Sequence, residues 1–170
     1  MLKRIIPTVN IISPTAKISP LSDIETSSRG SRLVVGEGAM IDSFVKIKFA
    51  GGEGDIEIGE NSFINSGCVL YSGNGIRIGN NVLIAANCTF APVNHQYELA
   101  SKLIREQRFK PSKGGIIIED DVWIGAGVVL LDGTHIRKGT VIGANTLVNM
   151  VTEEYGIYAG NPLQLKKYRT

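Results

Sequence analysis

The sequence predicts an all-β fold in which short parallel strands wind into a left-handed β-helix. From Ile118 to Glu153, an Ile, Leu or Val recurs every six residues, and a small or β-branched residue follows each one four positions later. This period fits neither an α-helix nor an ordinary amphipathic strand. It is typical of a solenoid in which both kinds of residue point into the shaft and three hexads close one triangular coil. The aliphatic positions are Ile118, Ile124, Leu130, Ile136, Ile142 and Val148, and the smaller ones are Val122, Val128, Thr134, Thr140, Thr146 and Thr152.

The corners of the triangle provide a second, independent observation. Each corner requires a residue that tolerates a positive φ, so Gly, Asn or Asp is expected at a fixed offset, here three residues after each aliphatic position. Val151 breaks the rule where the repeat ends, and Thr15, Leu21 and Phe44 break it in the first two coils. The residues that fit are Asn61, Gly67, Gly73, Asn81, Asn87, Asp121, Gly127, Gly133, Gly139 and Asn145.

The same period extends back through the chain and predicts six coils. At the usual spacing between strands, the shaft would be roughly 29 Å long. The shaft residues group into the triplets Ile12, Ile18, Ile24; Val35, Ile41, Ile47; Ile58, Ile64, Leu70; Ile78, Ile84, Phe90; Ile118, Ile124, Leu130; and Ile136, Ile142, Val148.

Every insertion between coils is predicted to lie at one edge of the triangle, because the step within each triplet is always six. The longest insertion, residues 91–115, then forms a loop within a β-helix domain of residues 1–152. Residues 153–170 lose the period and are predicted to form a C-terminal extension, an extended return with one helical turn against the outside of the shaft. The left-handed winding is a property of the hexapeptide architecture, since the spacing does not distinguish the two hands.

Composition narrows the class of protein and its location. A chain of 170 residues fits one domain, and a formal net charge of +2 does not indicate a nucleic-acid-binding surface. Pro7, Pro14 and Pro20 interrupt the apolar runs near the N-terminus, so we expect no signal peptide, no membrane-spanning segment and a cytoplasmic location. Cys68 and Cys88 fall at inward positions of adjacent coils, where we expect reduced thiols that fill the core.

The long loop contains His95, one of only two histidines in the chain, preceded by Asn94. A long loop in a compact repeat protein is usually functional or disordered. Histidine titrates near neutral pH and is the natural general base for a hydroxyl nucleophile, although a solvated loop histidine is the structural alternative. The other histidine, His135, points outward and suits a surface or subunit contact.

From about Ile58 onward the sequence resembles the hexapeptide-repeat acyltransferases, most closely the galactoside, maltose and polysaccharide O-acetyltransferase branch. The resemblance rests on the loop histidine in NHQYELASKLIREQRFKPSKGG, on the block DVWIGAG and on the terminal AGNP. It implies a homotrimer of parallel shafts with active sites between subunits and acetyl-CoA as the acyl donor. It also implies an acceptor sugar from surface polysaccharide or a related carbohydrate, and no metal is expected.

The resemblance also assigns roles to individual residues. His95 matches the catalytic base, and Asn65 matches a polar position that faces the acceptor, which Asn94 is also expected to bind. Gly73 stands where the galactoside enzymes have a carboxylate in the acceptor pocket, so Asn74 beside it is a further candidate. The residues expected at the donor are Trp123, Gly125, Ala126, Ala144, Asn149, Lys166 and Lys167.

Two departures from the family pattern affect the donor contacts. Asn149 stands where Thr is usual, and Gln164 replaces a second basic residue of the tail, for which Lys166 can compensate. Structural alternatives also remain open. Trp123 would suit packing between subunits, Asn65 would suit a corner, and the basic tail would suit a solubilising segment.

The expected mechanism is direct transfer in a ternary complex. His95 would accept the proton of a sugar hydroxyl as it attacks the thioester, and would return that proton to the leaving thiolate. Backbone N–H groups around Gly125 to Gly127 are expected to stabilise the oxyanion. An acyl-enzyme is not expected, because it needs an accessible nucleophile and both cysteines point into the shaft.

Three other functions remain open from the sequence. An N-acetyltransferase acting on an amino sugar nucleotide would use the same scaffold and donor, with less need for a base. A zinc hydratase similar to the γ-class carbonic anhydrases would need three His ligands per metal, whereas this chain has two histidines, on different edges. A non-catalytic repeat scaffold would not bind acetyl-CoA.

Overall fold

The protein, seen in a computed structural model that describes residues 9–170, is a triangular shaft of six coils. Each coil contributes one strand to each of three parallel sheets, and these sheets form the three faces. The strands pair between coils: Ile76 lies opposite Ile56 on one side and Ile116 on the other. This is the parallel β-helix that the six-residue period predicts, with the left-handed winding expected from the hexapeptide architecture.

The strands of the shaft contain two or three residues each. The first two coils comprise β1 (Ile11–Ile12), β2 (Lys17–Ile18), β3 (Asp23–Ile24), β4 (Leu33–Val35), β5 (Met40–Ile41) and β6 (Lys46–Lys48). The third and fourth comprise β7 (Ile56–Ile58), β8 (Phe63–Ile64), β9 (Val69–Tyr71), β10 (Ile76–Ile78), β11 (Leu83–Ile84) and β12 (Thr89–Ala91). After helix α1 (Ile104–Gln107), the last two comprise β13 (Ile116–Ile118), β14 (Trp123–Ile124), β15 (Val129–Leu131), β16 (Thr134–Ile136), β17 (Val141–Ile142) and β18 (Leu147–Val148).

The chain visits the three faces in a fixed order. Sheet A contains β1, β4, β7, β10, β13 and β16; sheet B begins with β2, β5, β8, β11, β14 and β17; sheet C contains β3, β6, β9, β12, β15 and β18. We name the turns from B to C edge BC and the turns from C to A edge CA. All the insertions between coils lie on edge CA, including residues 92–115, as the spacing predicts.

The core is a stack of aliphatic side chains, and every predicted inward position from Val35 onward is buried. The small positions are buried as well, and in the last coils they become threonines. Their hydroxyl groups are satisfied inside the shaft: Thr134 Oγ1, for example, donates to the Val148 carbonyl oxygen at 2.8 Å. Ile12 of the first coil remains 43% exposed, because none of the described residues packs over that end.

The corner rule holds at each position where Gly, Asn or Asp was predicted, since all of those residues have a positive φ. Asn61 and Asp121, for example, have φ values of 54° and 56°. Phe44 adopts φ 63° although its side chain is unsuited to that conformation, whereas Thr15 and Leu21 do not. The first two coils therefore pair in register with the rest of the shaft even where their corner residues depart from the pattern.

The C-terminal segment is an extended return, as predicted, but it lacks the expected helical turn and lies at the end of the shaft. It forms β19 (Gly156–Ala159), which pairs parallel with β17, and β20 (Gln164–Tyr168), which pairs antiparallel with β19, so both extend sheet B at the end of the shaft. No helix forms in residues 153–170. The segment continues the shaft because Tyr158 points inward, is 3% exposed and covers the last coil.

Helix α1, a single four-residue turn in the long insertion, contains no buried residue and was not predicted. Within residues 9–170, no helix is long and apolar enough to cross a membrane.

Candidate active site

His95 lies on a short ribbon formed by the two limbs of the long insertion. It pairs with Phe109 in an antiparallel bridge, and the two ring centroids are 4.7 Å apart. Next to this bridge, the N–H of Lys110, which follows Phe109, donates to the carbonyl oxygen of Asn94, which precedes His95, at 2.7 Å. The backbone of His95 is therefore fixed by its partner limb, while its imidazole remains exposed.

The exposed imidazole opens into a cleft of about 310 Å³ on edge CA. The cleft brings together three of the residues predicted from the sequence, namely Asn94, His95 and Asn149. Its remaining lining residues are Tyr97, Lys110, Pro111, Lys113, Leu131 and Asp132. A base, an amide pair and mixed polar walls are the groups needed to hold a small polyhydroxylated molecule beside an imidazole.

One wall of the cleft is a charged cluster that the sequence did not indicate. Lys110 Nζ lies 2.6 Å from Glu98 Oε1 and 4.1 Å from the centroid of the Tyr97 ring. The hydrogen bond from Lys110, with those from the Tyr97 and Glu98 backbone, lowers the pKa of Glu98 to about 2. The pair is therefore ionised throughout the neutral range, and it contributes no titration there beside His95.

Asp132 is the second feature of the cleft that was missed. Its side chain is 3% exposed, and its two carboxylate oxygens accept the N–H groups of Lys113 and Gly115, both at 2.9 Å. A signal for it was present in the sequence, because Asp132 follows the inward Leu130 by two residues and so occupies an inward phase of the strand. A charged residue at such a position is expected to have a dedicated set of partners.

A second group of predicted residues lies on edge BC. Asn65 follows β8 directly, and its side-chain oxygen accepts the Ser66 N–H at 2.7 Å, which is consistent with the corner alternative. Gly125 and Ala144 stack in consecutive coils, where a Cβ added to Gly125 would lie 2.6 Å from the Ala144 nitrogen. The close approach explains why glycine is required at position 125.

The predicted oxyanion donors need a correction. The Gly125 N–H donates to the Ile142 carbonyl oxygen at 2.8 Å, and the Gly127 N–H donates to that of Ala86 at 3.0 Å. Both groups are therefore committed to the shaft. The N–H of the exposed Ala126 between them has no acceptor among residues 9–170, so it is the one donor of this segment that a ligand can reach.

Trp123 and Lys167 lie on the outer face of sheet B. Trp123 is 54% exposed, and the register Trp123, Val141, Ile157, Lys167 crosses four adjacent strands. The two ends of this row are three strand spacings apart, roughly 14 Å. One side of the shaft therefore carries the flat ring of Trp123, the free N–H of Ala126 and the cation of Lys167. This combination suits an elongated donor that carries phosphates.

The other basic residues of the tail have partners within the chain. Lys166 Nζ donates to the Gln164 side-chain oxygen at 3.0 Å. Arg169 Nη1 donates to the Asp121 carboxylate and to the Gly139 carbonyl oxygen, both at 2.9 Å. Of the basic residues from 166 to 169, Lys167 therefore has the least engaged side chain.

The predicted site residues do not meet within one chain. His95, Asn94 and Asn149 line the cleft on edge CA, whereas Asn65, Gly125, Ala126 and Ala144 lie on edge BC. Asn74 is also on edge CA, where its N–H donates to the Pro92 carbonyl oxygen at 3.3 Å, but it lines a separate cleft of about 230 Å³. The structure therefore does not bring Asn74 to the imidazole.

His135 lies on sheet A, where its Nε2 is 2.7 Å from Glu119 Oε1. In the part of the chain that the structure describes, no three His, Cys, Asp or Glu side chains are grouped so that they could hold a metal ion.

Comparison with known proteins decides the family. A family model described as bacterial transferase hexapeptide (six repeats) matches residues 115–149, and one described as hexapeptide repeat of succinyl-transferase matches residues 55–89. A hexapeptide-repeat containing acetyltransferase from Vibrio cholerae, solved in complex with acetyl coenzyme A, is 31% identical with a TM-score of 0.66. That match covers 79% of this chain and 69% of the other. The chain belongs to the hexapeptide-repeat acyltransferases.

Two further similar proteins are informative. The galactoside O-acetyltransferase of Escherichia coli is 30% identical over 77% of this chain and 61% of its own length. AntD, an N-acyltransferase from Bacillus cereus solved with dTDP-4-amino-4,6-dideoxyglucose and coenzyme A, has a TM-score of 0.80 at 24% identity. It matches 97% of this chain and 86% of its own, which shows the shared fold. The chain spans 50–61% of the length of several curated acetyltransferases that it matches.

The segments matched by the two hexapeptide models contain edge BC of the third to sixth coils. The first two coils and most of the insertion with His95 lie outside them. The two models therefore match the edge that carries the expected donor contacts, and they do not extend over His95.

Proposed function

We propose that this chain transfers acetyl from acetyl-CoA to a sugar hydroxyl, with His95 as the general base. The observation that carries the proposal is the exposed imidazole of His95, held by its ribbon at the mouth of a polar cleft in a hexapeptide-repeat acyltransferase. The sugar is proposed to belong to surface polysaccharide or a related carbohydrate.

The proposed reaction is a direct transfer. A sugar hydroxyl becomes an effective nucleophile only when its proton leaves as it attacks. His95 accepts that proton while the hydroxyl oxygen bonds to the thioester carbonyl carbon. The carbon–sulfur bond then breaks, and the proton passes from His95 to the departing thiolate. Asn94, which lines the same cleft, supplies a hydrogen bond that orients the acceptor. Asn149 was expected at the donor, but because it lines this cleft we assign it to the acceptor as well.

The residues on edge BC and sheet B fit the donor. The Ala126 N–H is free to donate, the exposed Trp123 offers an apolar surface, and Lys167 provides a cation further along the same side. Gly125 and Ala144 have no side chain beyond Cβ, so they leave the surface beside Ala126 open to the donor. A side chain at position 125 would collide with the Ala144 backbone. These features support acetyl-CoA as the donor. The proposed location is the cytoplasm, where that donor is available.

A homotrimer is proposed because the base and the donor wall occupy different edges of one chain. His95 lies on edge CA and Ala126 on edge BC, so parallel shafts would place edge CA of one subunit beside edge BC of the next. Cyclic symmetry with a heterologous contact repeats this arrangement three times and closes. The outer face of sheet B, with Phe63 and Leu83 in one register, supplies apolar surface for such a contact.

N-acetylation of an amino sugar nucleotide is the second candidate. The observation behind it is Gly73, which stands where the galactoside enzymes have an acceptor-binding carboxylate, so the acceptor of this chain need not be the one that they use. The same donor site would serve, and an amine would depend less on His95.

A thiol-release assay tests the proposal, with acetyl-CoA against matched sugars that carry either a hydroxyl or an amine, and with wild type beside His95→Ala. We expect release with hydroxyl acceptors that is lost in the variant. Release with amines alone, largely retained by His95→Ala, would move the function to N-acetylation. No release and no binding of CoA by calorimetry would contradict the enzyme function and leave a scaffold.

A further inference from the structure

The long insertion is attached to the shaft unequally at its two ends. Where it leaves, the Pro92 carbonyl oxygen accepts the Asn74 N–H at 3.3 Å. Where it returns, Asp132 accepts both Lys113 and Gly115 N–H groups at 2.9 Å, and the Gly133 N–H donates to the Gly115 carbonyl oxygen at 2.8 Å. The returning end is therefore the firm attachment, and a single side chain provides most of it.

The backbone around Lys113 is shaped to receive a carboxylate. Gly114 and Gly115 have φ values of 108° and 78°, and these conformations turn the N–H groups of residues 113 and 115 toward one point. Successive N–H groups arranged in this way form a concave anion-binding site. A Cβ on Gly115 would lie 2.4 Å from the Gly75 carbonyl oxygen, so the close approach that seats this turn on the shaft requires glycine.

The attachment is linked to His95 through a short path of backbone. Three residues before Lys113, the Lys110 N–H donates to the Asn94 carbonyl oxygen, and Phe109 pairs with His95. The limb that Asp132 binds, which contains Phe109 and Lys113, is therefore the limb that pairs with His95. Asp132 and His95 also line the same cleft.

We propose that Asp132 is a positioning residue. It fixes the segment in which the insertion rejoins the shaft, and it thereby sets the position of His95 in the cleft. It acts through backbone and has no direct part in the chemistry. The inference rests on the proposed function for its kinetic consequences, but the anchoring itself is a structural property that can be measured without catalysis.

The test uses Asp132→Asn, which keeps the shape of the side chain. Asparagine offers one oxygen and turns an NH2 group toward the other N–H, so one of the two hydrogen bonds is lost. Asp55→Asn is the control, because Asp55 lies on the same edge, two coils before the insertion begins. Its Oδ1 accepts the Arg32 N–H at 2.7 Å, and its Oδ2 pairs with the Arg32 guanidinium at 2.8 Å. Each substitution is made in wild type and in His95→Ala.

We expect Asp132→Asn to lower kcat by about 10- to 100-fold, as for an ångström-scale displacement of a catalytic group. The KM for acetyl-CoA should change little, since the donor wall is on another edge. In the His95→Ala background, Asp132→Asn should cause no further loss, because a residue that acts through His95 has nothing left to position. Asp55→Asn should leave kcat unchanged in both backgrounds.

Hydrogen exchange provides a readout independent of activity. The Gln96 and Lys110 amides, which tie the ribbon together, should exchange faster in Asp132→Asn and at the wild-type rate in Asp55→Asn. If the wild type is inactive with every acceptor, the proposed function fails. The exchange rates alone then test whether Asp132 anchors the insertion. An unchanged kcat in Asp132→Asn, an equal loss in the His95→Ala background, or unaltered exchange would each overturn the positioning role.

Discussion

Cys68 and Cys88 occupy the same position in consecutive coils, and both thiols donate to the Ala85 carbonyl oxygen at an Sγ–O distance of 3.2 Å. Both are free and fully buried, as their inward phase predicts. The hydrogen bond with Cys88, followed by burial, raises the pKa of the Cys68 thiol. Because both thiols are enclosed in the shaft, no reactant can reach them, so the pair acts as core filling.

Replacement of either cysteine by alanine should therefore leave acetyl transfer intact. We expect kcat within about twofold of wild type for Cys68→Ala and Cys88→Ala, because direct transfer forms no acyl-cysteine. Stability should fall by about 1 kcal/mol in each, since a small buried side chain is truncated. Thiol-release kinetics and urea unfolding measure the two effects. A trapped acetyl-thioester on either cysteine would contradict direct transfer.

Phe44 is the position at which a substitution should stabilise the shaft. Its φ of 63° is unfavourable for a residue with a Cβ, and its side chain is 68% exposed, so little apolar contact offsets that strain. Phe44→Gly should raise the free energy of unfolding by about 1 kcal/mol, the usual cost of a left-handed conformation. The midpoint of urea unfolding gives the measurement.

Leu21→Gly is the control for this prediction. Leu21 is the corresponding corner residue of the first coil, is also exposed at 59%, and does not have a positive φ. Glycine there should destabilise the chain, because only the entropic cost of glycine remains. A loss of stability in Phe44→Gly would show instead that the phenyl ring packs against another subunit.

The ion pair of Glu119 gives a prediction about pH. Burial opposes ionisation of this carboxyl, but the Lys138 N–H, the His135 ring and the charge of Arg137 outweigh it and lower the pKa of Glu119 below 4.5. A lowered pKa means that the ionised group stabilises the fold above the unfolded pKa, and that this stabilisation is lost as pH falls through the folded pKa.

Glu119→Gln should therefore be less stable than wild type at neutral pH and converge with it in acid. The difference should stay below about 1 kcal/mol, because the pair is partly exposed and screened. Urea unfolding at pH 7 and near pH 3 measures the change, with Glu154→Gln as a control, since Glu154 has no ion-pair partner among the described residues. A constant difference between the two pH values would show that only lost packing is involved.

Mixing of subunits tests whether the site is shared. His95→Ala removes the base on edge CA, and Ala126→Trp blocks the donor wall on edge BC, so each variant alone should be inactive. Random trimers of the two should regain about a quarter of wild-type activity, because one site in four receives both intact edges. Activity that stays absent after mixing would mean that the base and the donor wall meet within one chain.

The shaft was predictable because the same buried contacts and the same corner geometry recur every six residues. When aliphatic and small residues recur every six positions, a triangular coil buries both kinds. The positive φ of each Gly, Asn or Asp corner could be predicted because these residues tolerate that conformation and recur at a fixed offset. The tail was mispredicted since Tyr158 supplies a single buried contact with no repeat to reveal it. Phe44 shows that hydrogen bonding between coils can impose a corner on an unsuitable residue.

The candidate site was predictable only in part. His95, Asn94 and Asn149 meet in one cleft. The predicted loop and the family resemblance singled out these residues, but neither indicated that Asn149 lies beside His95. Asp132 was missed because its partners are backbone N–H groups of the insertion, which carry no side-chain signature in the sequence. The separation of Asn65 from His95 was likewise invisible, since spacing along the chain does not reveal which edge of another subunit completes the site.

The central claim, that His95 is the base for acetyl transfer, is tested most directly by comparing the two histidines of the chain. Thiol release from acetyl-CoA is measured with the best hydroxyl acceptor for wild type, His95→Gln and His135→Gln. We predict that His95→Gln lowers kcat by about 10²- to 10⁴-fold, the usual contribution of a general base, while His135→Gln stays close to wild type. Wild-type turnover in His95→Gln would contradict the account.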